Sequence, residues 1–121
     1  MTVILKSPGG DDVRVNGWNW RPTVNLVAKA LGLDEEAAEK LQTNGIGACV
    51  SAEQAVQIAA FLDSYIQSLP QGGRVRLDGS VTEEPKSYAI DFVATSNYSA
   101  SYEWLVKFRD FCKTCGGFRV I

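Results

Sequence analysis

The sequence predicts an α+β fold: a small antiparallel or mixed sheet, made of an N-terminal hairpin and a C-terminal strand, with three to four helices packed on one face. Three observations carry that expectation. Two short β-branched runs, at 2–6 and 12–16, flank Ser7-Pro8-Gly9-Gly10-Asp11, whose residues favour a turn. An apolar stripe at helical spacing runs through residues 52–69. The chain closes on Phe118-Arg119-Val120-Ile121, a strand-like run set off by Gly116-Gly117.

In chain order, Val13 and Val15 share one face of the second strand. Trp18 and Trp20 then lead into a helix, with Pro22 expected in its first turn, where the missing N–H costs nothing. Val24, Val27, Ala28 and Leu31 make its apolar stripe, Asn25 and Lys29 lie opposite, and Gly32 closes it. Asp34 caps a short second helix whose positive end is favoured by Glu35 and Glu36, with Ala37, Ala38 and Leu41 as a modest apolar face. Residues 43–47, Thr-Asn-Gly-Ile-Gly, read as a loop.

Ser51 and Gln54 stand in capping-box spacing before the 52–69 helix. Ala55, Val56, Ala59, Leu62, Ile66 and Leu69 run along it, and Ile58, Phe61 and Tyr65 widen the stripe. So broad an arc predicts a central helix with neighbours on two sides. Residues 70–86 are polar and rich in turn formers, either a flexible loop or a small hairpin around 74–77. Residues 88–94 fit a strand or a helical turn equally well. A last helix is expected over 101–114. The 121 residues fit one domain, 1–121, large enough to fold without a disulfide or metal staple.

Composition narrows the function classes. The net charge is −2, and no basic stripe is visible along the chain, so nucleic-acid binding is not expected. There is no histidine, which excludes Ser-His and Cys-His catalysis within one chain. The three cysteines are an odd number, the N-terminal apolar run is short for a signal segment, and no stretch reaches the ~20 apolar residues of a membrane span. The expectation is a cytoplasmic protein with reduced thiols and no membrane contact.

Four groupings are candidates for chemistry. Cys112 and Cys115 form a C-x-x-C pair. They fall in the last turn of a helix, on the arc of Trp104, Leu105, Phe108 and Phe111, and only Cys49 remains as a further soft ligand. Core thiols are favoured over a metal or redox site, and no cofactor is expected. Trp18, Trp20 and Arg21 have the composition of an interface hot spot, against the alternative of a staple at the helix entrance. Residues 44–49, Asn-Gly-Ile-Gly-Ala-Cys, lack the third glycine and the lysine of a phosphate loop, so a plain turn is favoured. Asp34, Glu35, Glu36 and Glu39 form an acidic cluster, either a solvated helix start or a surface for a basic partner.

Three segments together resemble an uncharacterised group of small bacterial proteins of unknown function. They are the Trp20-Arg21-Pro22 helix opening, Val50-Ser51-Ala52-Glu53-Gln54-Ala55, and the tail from Phe108 to Phe118 with its Phe-Cys-x-x-Cys-Gly-Gly-Phe core. The resemblance implies a bacterial cytosolic protein and brings no site residues with it. The leading expectation is a non-catalytic protein-interaction module, immunity-like or regulatory, that meets another protein through Trp18, Trp20, Arg21, Asp34, Glu35, Glu36 and Glu39. The alternative is a small-molecule binder or enzyme with a pocket between helices and sheet, lined by Trp18, Trp20 and Tyr65. Homodimerisation is compatible with either.

Overall fold

A computed structural model describes residues 2–10, 12–42, 48–77, 79–82 and 99–121. The predicted α+β class holds: the described residues form four helices and two small antiparallel sheets. The N-terminal hairpin is β1 (Thr2–Lys6) and β2 (Val13–Asn16), in register Val3 to Val15 and Leu5 to Val13. The C-terminal strand β7 (Phe118–Val120) lies on the other side of β1. A two-residue strand the sequence did not announce, β3 (Cys49–Val50), completes the order β2-β1-β7-β3. Alternation makes this sheet one-sided: Val3, Leu5, Val15, Val50, Phe118 and Val120 are buried, while Lys6, Arg14, Cys49 and Arg119 point outward. A second sheet, of order β5-β4-β6, joins β4 (Arg74–Arg76), β5 (Val81–Thr82) and β6 (Ser99–Ser101). Strands β4 and β5 pair antiparallel within the 70–86 segment, which the sequence left as either a flexible loop or a small hairpin, and β6 adds a third strand from far along the chain.

Helix α1 (Gly17–Leu31) begins well before Pro22, and both tryptophans lie inside it. The reason is the cap. Asn16 has extended backbone, and its side chain accepts from the Asn19 N–H at 2.9 Å, which starts the helix directly after β2. Pro22 sits inside and is tolerated, buried against the core, rather than marking the first turn. Gly32, at φ 66°, returns its N–H to Ala28 O and ends the helix as the sequence predicts.

Helix α2 (Glu35–Gln42) is capped by Asp34, whose carboxylate accepts from the Ala37 N–H at 2.8 Å. Helix α3 (Ala52–Gln67) opens with both halves of the capping box in place, Gln54 N–H to Ser51 Oγ at 3.1 Å and Ser51 N–H to Gln54 Oε1 at 3.0 Å. Helix α4 (Tyr102–Thr114) is capped by Ser101. Gly117 follows at φ 100°, so close to β3 that a Cβ there would meet Val50 O at 2.7 Å; only glycine lets β7 pass.

The core lies between the inner sheet face and the helices. An aromatic chain runs through it: Trp104 stacks on Phe108 at 5.5 Å, Phe108 meets Trp20 and Phe118 edge-on, and Phe111 closes against Phe118. Such pairs add about 0.5–1.5 kcal/mol each beyond burial. Helix α3 packs on α4 and α1, the two-sided contact its broad stripe predicts. The segments read as a 43–47 loop and an 88–94 strand or turn lie outside the described residues.

Candidate functional site

The segment from Asn16 to Thr23 carries side-chain hydrogen bonds that tie it to distant parts of the chain. Asn19 presents Oδ1 to the Ser101 N–H at 3.0 Å, tying the amino end of α1 to the start of α4. Trp20 is 1% exposed, and its indole N–H donates to Leu41 O at 2.9 Å, so it bolts the end of α2 to α1. Thr23 is buried; its hydroxyl donates to Asn19 O at 2.7 Å and accepts from the Trp104 indole at 2.8 Å. Among the described residues no buried side-chain polar atom lacks a partner.

The expected interaction surface is therefore corrected at one position: Trp20 belongs to the core, because its indole fills the α1–α2–α4 junction. Trp18 and Arg21 stay half-exposed, three residues apart on one helical face, and both are engaged in contacts of their own. Sequence composition cannot separate Trp18 from Trp20. The bond that marks Trp20 as a core residue reaches 21 residues along the chain, beyond any local pattern.

The acidic cluster belongs to α2 and its cap. Asp34, Glu35, Glu36 and Glu39 are all exposed on the first turns of α2, and Glu39 has a contact of its own. α1 rises about 1.5 Å per residue, so Trp18 lies about 20 Å from its Leu31 end. Asp34, at the start of α2, lies beyond the Leu31 end of α1, whereas Glu39 stands two residues before Leu41, whose carbonyl is bonded to Trp20 near the other end. Lys40 Nζ approaches Glu36 Oε1 at 3.9 Å, an exposed pair that partly offsets one charge.

Two grooves flank this acidic turn. One, of about 490 Å³, lies between α2 and the β3–α3 corner. Leu31, Leu33, Leu41 and Val50 line it together with Asp34, Glu36, Lys40, Cys49 and Gln54. The other, of about 310 Å³, lies between α1, α2 and the β4–β5 turn and includes Leu26, Leu33, Val75, Asp34 and Glu35. A cleft between helices and sheet thus exists, but neither groove is lined by Trp18, Trp20 or Tyr65. Both have aliphatic walls and rims of mixed charge, with Lys40 beside the carboxylates of the first and Lys29 and Arg76 beside those of the second. Tyr65 instead stacks on Phe61 of its own helix at 6.0 Å.

The Cys112–Cys115 pair also resolves. Cys112 is 1% exposed, and burial pushes its thiol far above the ordinary range, with Cys115 adding to the rise. Burial raises Cys115 as well. Both sit at the carboxyl end of α4, where the helix dipole disfavours a thiolate. Cys49 is exposed on β3 and belongs to neither. Among the described residues no group of three or more Cys, Asp and Glu side chains is arranged to hold a metal ion, and no helix is long and apolar enough to cross a membrane. Comparison with protein-family models, with curated proteins and with solved structures gave no match to this chain.

Proposed function

We propose that the protein is a non-catalytic interaction module that holds another protein through the amino-terminal turn of α2. The observation that carries this reading is the ridge itself: Asp34 and Glu36 border one apolar groove, Asp34 and Glu35 the other, and the carboxylates stand in solvent. Opposed charge steers a basic partner onto the ridge, and aliphatic walls on both sides offer area to desolvate. A partner suited to it carries Lys or Arg beside one or two aliphatic side chains. Trp18 and Arg21, half-exposed on α1, form a second point of contact for a partner that reaches beyond the amino-terminal turn of α2. An immunity-like or regulatory role, covering a basic surface, fits this chemistry. The setting we propose is a bacterial cytosol, supported by free cysteines and by the resemblance of the three sequence segments.

The test is affinity capture with mass spectrometry, comparing the native chain with a neutralised one carrying Asp34→Asn, Glu35→Gln, Glu36→Gln and Glu39→Gln. Asparagine still caps a helix, so α2 is retained. A partner recovered with the native chain and lost with the neutralised one supports the proposal; identical recovery from both removes α2 as the contact. The alternative, a small-molecule binder, draws on the groove of about 490 Å³, which falls in the size range of ligand pockets. A ligand that raises the melting temperature of the native chain but not of a Leu33→Arg variant would favour it.

A further inference from the structure

The outward face of the four-stranded sheet carries charge that the fold does not use. Lys6, Arg14 and Arg119 all stand on it in solvent, and Asp12, two residues before Arg14, is exposed as well. Lys6 and Arg119 are direct cross-strand neighbours, an arrangement of like charges that disfavours the pairing. No ion pair engages any of the three cations among the described residues. In a chain of net charge −2 this is a local positive field on an otherwise acidic molecule.

Beside that face runs an open strand edge. Ile4 bonds through both its N–H (3.2 Å) and its C=O (2.9 Å) to Ile121, on the β7 side. In an antiparallel ladder the bonded and non-bonded pairs alternate. Val3–Val15 and Leu5–Val13 therefore carry the β1–β2 bonds, and the N–H and C=O of Arg14 point away from the sheet. Among the described residues Arg14 has no hydrogen bond, and β2 ends the strand order on this side. An unpaired edge of this kind accepts another strand. Pairing two copies antiparallel about Arg14 would set like charges face to face, so the charge pattern disfavours a second copy of this chain.

We propose that the outer edge of β2 is a docking edge for an extended acidic segment of a partner polypeptide, added as a fifth strand. Its backbone bonds the N–H and C=O of Arg14, and a carboxylate opposite Arg14 stands on the outward face in the field of Lys6 and Arg119. Alternate residues of the segment point to the other face, beside half-buried Val13 and buried Val15, and are apolar. Asp12, at the hairpin tip, repels a second carboxylate at that end and so sets the register. This edge is separate from the α2 ridge, and the two surfaces stand or fall independently.

The test is an amide-resolved NMR titration of the full chain with a seven-residue peptide of alternating Glu and Val. Shifts confined to β2 and its neighbours, saturating below about 1 mM, are expected. The same peptide with N-methyl groups on its edge-facing amides should bind at least about tenfold more weakly, as should the native peptide to Arg14→Pro, a substitution an edge strand tolerates. Arg14→Glu should exchange the preference to an alternating Lys and Val peptide. Three results would overturn the proposal: no saturating shift, binding indifferent to N-methylation, or a single-stranded oligonucleotide occupying the same amides more tightly. Sedimentation showing β2 already buried in a dimer would do so as well.

Discussion

The amino end of α1 and the outward face of the sheet are made from similar numbers of polar side chains and use them in opposite ways. From Asn16 to Thr23 the side chains of Asn16, Asn19, Trp20 and Thr23 are bonded to the chain itself. On the sheet, Lys6, Arg14 and Arg119 make no ion pair among the described residues, and two of them face each other. A polar group with an internal partner stabilises the fold. One left in solvent beside a like charge weakens it slightly and remains available to another molecule. Trp20, buried in the α1–α2 junction, likewise differs from Glu35, Glu36 and Glu39 of α2, whose side chains are exposed.

The sharpest way to break the comparison is at Trp20. Trp20→Ala removes a fully buried indole and its bond to Leu41 O, and should lower stability by about 3–5 kcal/mol in a denaturant titration. Trp18→Ala, at a half-exposed position, should cost less than half as much. Equal losses would erase the distinction between the two residues. Next in size is Thr23→Val, nearly isosteric, which leaves the Trp104 indole N–H buried without an acceptor and should cost about 1–3 kcal/mol.

A third effect follows from Cys112. Its thiol is held neutral by burial in the folded chain, with a pKa raised above the unfolded value. The unfolded thiol ionises near about 8.5, so the contribution is complete below that pH and is lost as pH rises through and beyond it. Stability of the reduced protein should therefore fall above about pH 8.5, at up to about 1.4 kcal/mol per pH unit from this residue. In Cys112→Ala the slope of stability against pH should flatten over the same range, whatever the offset from the lost sulfur. The smallest effect belongs to the sheet face. Arg119→Glu converts the Lys6–Arg119 repulsion into attraction and should stabilise the protein by about 0.2–1 kcal/mol, less at high salt.

Local chemistry carried most of the fold into view. Caps at Asp34 and Ser51, the stop at Gly32, the N-terminal hairpin and the closing strand are each decided within a few residues, so sequence shows them. The start of α1 was misread because Pro22 signals a first turn more strongly than Asn16 signals a cap, while the Asn19–Ser101 bond that anchors the earlier start spans most of the chain. Strand β3 is two residues long and exists only because Gly117 lets it approach β7. Of the candidate surface, the acidic turn was legible from its own residues. The grooves beside it were not, since their walls come from α1, α2, β3 and the β4–β5 turn. The outward cations were each visible at alternating positions, but their meeting on one face depends on a strand order that no local pattern encodes.

The central claim is that Trp20 serves the fold while the carboxylates of the α2 turn serve binding. The most direct measurement takes two variants, Trp20→Phe and the neutralised α2 chain, and records unfolding free energy and partner recovery for each. The account predicts a crossed result: Trp20→Phe loses stability and keeps the partner, while the neutralised chain keeps its stability and loses the partner. Parallel losses of both properties in the neutralised chain, or full partner recovery by it, would contradict the account.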